Sequence, residues 1–408
     1  MRIAIATWSG RRVGGVEDYL AAIVPALNQA GHDVVFWHES DQPLDRDPIA
    51  LPDEVPVICA AECGAVAALA ELRNWAPDLI YVHGLRDTAV EREMLSIAPS
   101  VLFVHTYYGT CISGSKTFTR PIVTPCSRVF GWPCLLHYLP HGCGGWSPLT
   151  MVRSYRQQSA RLALLRRYDA VVTHTNHMCE ELTRHGLTPR RVGFPTQSTG
   201  PRVDRPENPE TWRLLFAGRM DRLKGGQVLL RALSRVKAGL DRALHVTCAG
   251  DGPERARWER LAADVERATV DVKIEFVGWV DPDRLTVLMA EADLLVVPSL
   301  WPEPFGAVGP MAGTRGLPAA AFDVGGISQW LVDGKNGALA PGHPPTADGL
   351  ADAILRCLFD AQVHERLRAG AFEIAGRFRM DIHLAAVLEV LEEVVARRAV
   401  AGQRPSGR

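Results

Sequence analysis

The sequence contains no apolar run approaching the ~20 residues that cross a bilayer as a helix. A membrane-spanning segment is therefore not expected. It also lacks charge of one sign: 45 Lys and Arg stand against 46 Asp and Glu, for a formal net charge of −1. No global field would steer the chain to DNA, RNA or an anionic membrane, so neither nucleic acid nor a membrane surface is an expected partner. The N-terminal apolar run Ile3-Ala4-Ile5-Ala6 is too short for a secretory signal, and an Arg/Gly-rich loop follows it. The expected location is cytoplasmic. The three-glycine dinucleotide fingerprint is missing after the first strand, which argues against hydride transfer. Low-complexity tracts and short-period repeats are missing too.

What is present is ordinary globular composition, 47% hydrophobic and 22% charged over 408 residues, enough for two or three domains. Short apolar segments alternate with amphipathic ones, twice over. Ile3 to Thr7, Asp33 to Trp37, Leu79 to Val82, Val101 to His105 and Ala170 to Thr173 read as strands. A helix from about Val16 carries apolar residues at helical spacing, with Gly31 where its C-cap belongs. A polar, proline-rich stretch from about Phe194 to Thr211 reads as a linker. The rhythm then restarts, with strands at Arg213 to Ala217, Leu244 to Ala249, Lys273 to Val277, Leu294 to Val297 and Ala319 to Phe322. The expected fold is α/β: two doubly wound, Rossmann-like domains facing a cleft, with ligands beyond the carboxyl ends of the strands. The domain boundaries are residues 1–197 and 198–379. A C-terminal helix at about 380–398 and a flexible tail at 399–408 complete the chain.

Chemistry should sit in three post-strand loops. Gly14 and Gly15 precede a helix, where backbone N–H groups and the helix dipole suit an anion; a glycine pair alone reads equally as a tight turn. Gly218, Arg219 and Lys224 follow the strand that opens the second half. Two cations there suit a diphosphate, or are ordinary surface charges. Glu303 lies between Pro302 and Pro304, which fix its backbone, and Phe305 and Gly306 complete the box. A held carboxylate suits hydrogen bonding to sugar hydroxyls.

In order, Gly-Arg-x-Asp-x-x-Lys-Gly from Gly218, Ala249 to Pro253, Phe276-Val277-Gly278, Glu303-Pro304-Phe305-Gly306, Gly325-Gly326 and Asp333-Gly334 resemble the retaining glycosyltransferases of family 4, of GT-B architecture. The similarity spans nearly the whole chain. It implies a hexosyl-type transfer from a nucleotide-diphosphate sugar, most simply a UDP-sugar, to a small-molecule, natural-product or glycan acceptor hydroxyl. Gly14 and Gly15 then lie beside the donor phosphates, His105 beside the donor sugar, and Arg219 with Lys224 on the diphosphate. Trp279 and Val280 follow the region that contacts the base, and Glu303 is the first glutamate of an E-x7-E motif. The family's second glutamate, which holds the ribose, is Met311 here. A thioether cannot supply those bonds; Thr314, one turn on, is the substitute candidate.

The implied mechanism stabilises charge developing on the diphosphate with N–H groups, Arg219, Lys224 and a helix dipole. It needs no metal, and no Asp-x-Asp motif stands in a suitable loop. Two other functions compete. A GT-B nucleotide-sugar 2-epimerase would need a different motif set, and a non-catalytic sugar-nucleotide-binding partner is favoured only by Met311.

Residues 107 to 148 break the β/α rhythm and carry Cys111, Cys126, Cys134 and Cys143 with His137 and His141. The spacing lacks C-x2-C pairs, so buried free thiols or occasional disulfides rank ahead of a structural zinc. On the acceptor side of this fold, Tyr107, Tyr108 and His137 are the acceptor-binding candidates. The arginine-rich segment from about Thr150 to Tyr168 reads as a solvated helix face.

Overall fold

The computed structural model describes residues 1–196 and 210–402. The proline-rich linker falls mostly outside these residues, as does the tail beyond residue 402. Two parallel sheets form the frame. The first has the strand order Val57–Cys59, Asp33–Ser40, Arg2–Ser9, Leu79–Val82, Ser100–Phe103, Ala170–Thr173, Pro189–Arg191. The second runs Val272–Gly278, Ala243–Ala249, Thr211–Ala217, Leu294–Val297, Ala319–Phe322, Gly337–Ala340. All their pairings are parallel. The chain is thus two Rossmann-like domains. In each sheet the strand order reverses between the first strand and the fourth, and that reversal opens a crevice at the carboxyl ends.

The central strands are fully buried, as Ile3, Ile5, Leu214, Leu294 and Leu295 show. Strands covered on both faces need continuous apolar runs, and here Leu294–Val297 reads Leu-Leu-Val-Val. The helix Gly15–Gln29 buries Tyr19, Leu20, Ile23, Val24 and Leu27 against the first sheet. Gly31 takes φ +84° just past its end, where a Cβ would be strained.

The last helix, Met380–Gly402, returns to the first sheet. Val387, Val390, Leu391 and Val394 form its buried stripe. His383 Nε2 lies 2.8 Å from the Tyr19 hydroxyl, and Arg190 pairs with Glu389 and Glu393. The helix therefore runs to residue 402, past the start of the expected tail. No helix among the described residues is long and apolar enough to cross a membrane.

Candidate active site

The second sheet builds the denser half of the site. Thr211–Ala217 and Leu294–Val297 are neighbours at the switch point, so the loops after them open on the same edge. In the first loop the Asp221 carboxylate accepts from the amides of Leu223 and Lys224 and fixes the turn Arg222–Lys224. That turn aims Lys224 across at the second loop. Its Nζ donates to Glu303 Oε1 at 2.6 Å, and Ser299 Oγ donates to the same oxygen at 2.5 Å. The Glu303 side chain is 6% exposed and that of Lys224 is 29% exposed, so the pair straddles the wall of the cleft. The Lys224 ammonium also lies 5.3 Å from the Trp301 ring centroid. Arg219 is exposed and pairs with no side chain among the described residues. One cation is committed to a buried carboxylate and one is open to a ligand.

The Glu303 backbone is held from both domains. The Gly326 amide donates to the Glu303 carbonyl at 2.6 Å, and Gly325 forms a parallel bridge with Glu303. A Cβ on Gly325 would lie 2.3 Å from that carbonyl oxygen, which explains the glycine pair. From the first domain, the Tyr107 hydroxyl donates to the Pro302 carbonyl at 2.8 Å, and Thr175 Oγ1 donates to the Pro304 carbonyl at 2.9 Å. The Phe305 ring packs against Phe194 at 5.2 Å and His174 at 5.7 Å. The two interdomain bonds thus bracket Glu303 on either side.

The first domain contributes a group of rings beneath the cleft. His105 Nε2 is 3.1 Å from His83 Nδ1, and His105 packs on Phe103 and His174. Burial, reinforced by the neighbouring histidines, pushes the His105 pKa well below the ordinary value. Burial likewise takes His83 and His174 to about 3 and His383 to about 4. At neutral pH these imidazoles are uncharged, so His105 can act as a neutral donor or acceptor but not as a cation. Gly14 caps the helix Gly15–Gln29, and its amide bonds to Glu17 Oε2 at 2.8 Å. A Cβ on Gly15 would meet nothing within 4 Å, so this helix start has free space above it. Burial raises the Glu17 carboxyl to about 7, against the lowering effect of hydrogen bonds including that from Gly14.

The remaining candidates are more dispersed. Trp279 is exposed, and the Arg46 guanidinium of the first domain lies 4.3 Å from its ring centroid, while Val280 packs on the core. Met311 is half-buried against the core in the short helix Val308–Gly313. A Cβ on Gly309 would lie 2.2 Å from the Trp330 ring, so this helix carries glycine because the indole packs directly on its backbone. The Thr314 hydroxyl donates to the Met311 carbonyl at 2.7 Å, which leaves it only as an acceptor. Tyr107 has no exposed surface and its hydroxyl is shared between Pro302 and His177. It therefore belongs to the interdomain seam and not to an open acceptor wall. Tyr108 is exposed, and His137 lines a separate cavity among the cysteines.

Sequence reading passed over three contributors: Ser299, Thr175 and Glu17. Ser299 stands two residues past a buried strand and Glu17 directly follows Gly14-Gly15-Val16, so position alone marked them. Thr175 acts across the domain seam, which no local pattern shows.

Two family models match the chain: Glycosyltransferase Family 4 over residues 13–193 and Glycosyl transferases group 1 over residues 211–360. The D-inositol 3-phosphate glycosyltransferase of Jonesia denitrificans is 28% identical over 362 residues, covering 75% of this chain and 85% of that protein. Among solved structures, the sucrose-phosphate synthase of Thermosynechococcus elongatus superposes with a TM-score of 0.71 at 20% identity, covering 97% of this chain and 100% of the other. Anabaena HepE, in complex with UDP and glucose, superposes with a TM-score of 0.66 at 18% identity, covering 96% and 100%.

Proposed function

The chain belongs to the family 4 glycosyltransferases, of GT-B architecture, and from that premise we propose that it is a retaining hexosyltransferase using a nucleotide-diphosphate sugar, with UDP as the nucleotide. The observation that carries the reading is the convergence of Lys224, Ser299 and Glu303 at the switch point, with Arg219, exposed and unpaired among the described residues, in the same loop as Lys224. A diphosphate needs two cations in a partly dry site, and a donor sugar needs a held carboxylate. Anabaena HepE, of the same fold, binds UDP and glucose, which supports the choice of nucleotide.

In this reading the donor diphosphate lies between Arg219, Lys224 and the open helix start at Gly15. The bond from the anomeric carbon to the β-phosphate oxygen breaks, and both its electrons go to that oxygen. Arg219 and Lys224 stabilise the charge as it develops. The acceptor hydroxyl oxygen bonds to the anomeric carbon on the face the phosphate leaves. Its proton passes to the leaving phosphate, so no strongly basic side chain is required. Neutral His105 hydrogen-bonds the sugar, and Glu303 orients its hydroxyls. The acceptor approaches from the side of residues 107 to 148, where Tyr108, Trp132 and Trp146 expose aromatic surface suited to an apolar aglycone.

Calorimetric titration with UDP, GDP, dTDP and ADP tests the reading. Binding of one nucleotide, lost in Arg219→Ala, supports the donor site and identifies its base. A second reading, a non-catalytic sugar-nucleotide binder, is favoured by Met311. Binding without turnover of the donor sugar with any acceptor would select it.

A further inference from the structure

The cysteines of segment 107 to 148 are unbonded to one another, and among the described residues no three ligating side chains are placed to hold a metal ion. What sets the segment apart is its surface. Its buried hydrophobic cluster is only Ile112, Phe130 and Tyr138, while large apolar side chains face solvent. Trp132, Trp146 and Leu149 are 66%, 60% and 84% exposed, and Ile122, Leu136 and Val152 are exposed as well. Scattered single apolar side chains are normal on a surface, whereas a concentration of them marks an interaction site.

Local contacts gather these side chains into one neighbourhood. The Arg120 guanidinium lies 3.8 Å from the Trp146 ring centroid, so the turn carrying Ile122 meets the loop carrying Trp146. The Tyr138 hydroxyl donates to the Gly144 carbonyl at 2.6 Å, which folds that loop back on the helix Pro133–Tyr138, with Trp132 just before it and Leu136 within it. In the following helix, Pro148–Leu165, Met151 and Tyr155 face the small core, and Tyr155 packs on Phe130 at 5.4 Å. The other stripe of that helix, Leu149, Val152, Arg153 and Arg156, has the spacing i, i+3, i+4, i+7 and is exposed throughout.

Charge in the same stretch has one sign. Residues 94–168 contain no Asp and no Glu but carry Lys116 and seven arginines, a formal +8, which leaves −9 for the rest of a chain whose balance is −1. The whole-chain balance therefore conceals the asymmetry. Lys116 is buried against Glu181, but Arg120, Arg128, Arg153 and Arg156 are exposed and pair with no carboxylate among the described residues. We propose that this face, residues 120–156, docks on an anionic lipid bilayer, with Trp132, Trp146 and Leu149 at the headgroup boundary and Arg153 and Arg156 against lipid phosphates. Exposed Trp and Leu beside unpaired Arg match a surface that is apolar in depth and anionic at its rim. A second copy of the chain fits poorly, because a symmetric pair would bring two basic faces together. The face adjoins the cleft, since Arg222 of the second domain donates to the Thr119 carbonyl at 3.4 Å. Docking would bring the cleft to acceptors held in a bilayer; that consequence rests on the transferase reading, and the docking itself does not.

The test mixes the full chain, without nucleotide, with vesicles of phosphatidylcholine alone or of equal parts phosphatidylcholine and phosphatidylglycerol, and reads the bound fraction by sedimentation across a lipid titration. Binding to the anionic vesicles, with little to the neutral ones and less as salt is raised, supports the proposal. Arg153→Gln with Arg156→Gln should weaken it about 20- to 30-fold, at about fivefold for each basic side chain near an anionic surface. Trp146→Ala with Leu149→Ala should weaken it by about tenfold or more. Arg231→Gln with Arg260→Gln, at two exposed arginines of the second domain, should leave it unchanged. Failure of the unsubstituted chain to bind anionic vesicles overturns the proposal, as does equal binding to neutral ones. Undiminished binding by both the Arg153/Arg156 and the Trp146/Leu149 variants overturns it too. So does a dimer in analytical ultracentrifugation that the Trp146/Leu149 variant dissociates, because a second copy then covers the face. With no nucleotide present, failure here leaves the transferase reading standing, and loss of that reading leaves this result intact.

Discussion

Lys224 is assigned two tasks, and they are separable. Toward the protein it compensates Glu303, whose side chain is 6% exposed; toward a donor it compensates phosphate. Replacing Lys224 by Met leaves a buried carboxylate with only the Ser299 hydroxyl. Removing one partner of a fully buried pair costs about 3–5 kcal/mol. The Lys224 side chain is 29% exposed, so water screens part of that. We therefore expect about 2 kcal/mol, or roughly 4–8 °C in Tm for a domain of this size. Adding Glu303→Gln removes the orphaned charge and should return most of the stability, because a pair deleted together is close to neutral. Nucleotide binding should behave differently. Lys224→Met should weaken UDP about 10- to 100-fold, the worth of a charged hydrogen bond, and the double variant should not recover it. Thermal melts and calorimetry on the three variants supply both readouts. Wild-type stability in Lys224→Met would refute the structural task. Normal UDP binding by the double variant would refute the donor task.

Four further outcomes are expected. Arg219→Ala should leave Tm unchanged, because the side chain is exposed and unpaired among the described residues, while UDP binding weakens by about tenfold or more; a fall in Tm comparable to that of Lys224→Met would contradict the assignment. Met311→Glu should tighten UDP by about tenfold by restoring bonds to ribose, and an unchanged Kd would mean the ribose is held elsewhere. Tyr107→Phe removes the bond to the Pro302 carbonyl and should cost about 1 kcal/mol with a larger effect on kcat than on nucleotide affinity; an equal effect on both would argue against its holding the Glu303 backbone across the seam. Stability should also fall in acid. His83, His174 and His383 titrate at about 3, 3 and 4 in the folded chain but near 6.5 when unfolded. The unfolded state binds more protons between those limits, so their contribution is full above about pH 6.5 and is lost as pH falls toward the folded values. At pH 5.5 the three together cost about 4 kcal/mol. Glu17, raised to about 7, works in the opposite sense, since stability drops as pH rises from about 4.5 to 7. Denaturant titrations at pH 5.5 and 7.5, with and without Glu17→Gln, separate the two; equal stability at both pH values in the Gln variant would refute the histidine account.

The fold was legible because both sheets are parallel and covered on both faces. Such strands must be short apolar runs, and the runs at Leu79–Val82, Ala170–Thr173, Leu294–Val297 and Ala319–Phe322 have the bounds read from sequence. The two-residue strands Thr117–Phe118 and Thr124–Pro125 were missed, as were three strands of the parallel sheets, Val57–Cys59, Pro189–Arg191 and Gly337–Ala340. Each ends its sheet, and an edge strand has one neighbour and little need for a continuous apolar run. Pro189 is tolerated there because an edge has a free side for a residue without an N–H. Within the site, the loops that follow strands announced themselves through glycine, proline and charge. Their mutual approach did not, because Lys224 and Glu303 are 79 residues apart and meet only through strand order. The same limit explains Tyr107 and Thr175, whose bonds run between domains to the carbonyls on either side of Glu303. A backbone held from both domains has a consequence for mechanism. Separating the domains would release the Pro302 and Pro304 carbonyls together, while Gly325, Gly326, Lys224 and Ser299 of the second domain would still hold Glu303. Closure therefore adds restraint to the backbone on either side of a carboxylate already held within its own domain, and this gives Tyr107 and Thr175 a weight that their distance in sequence from Glu303 conceals.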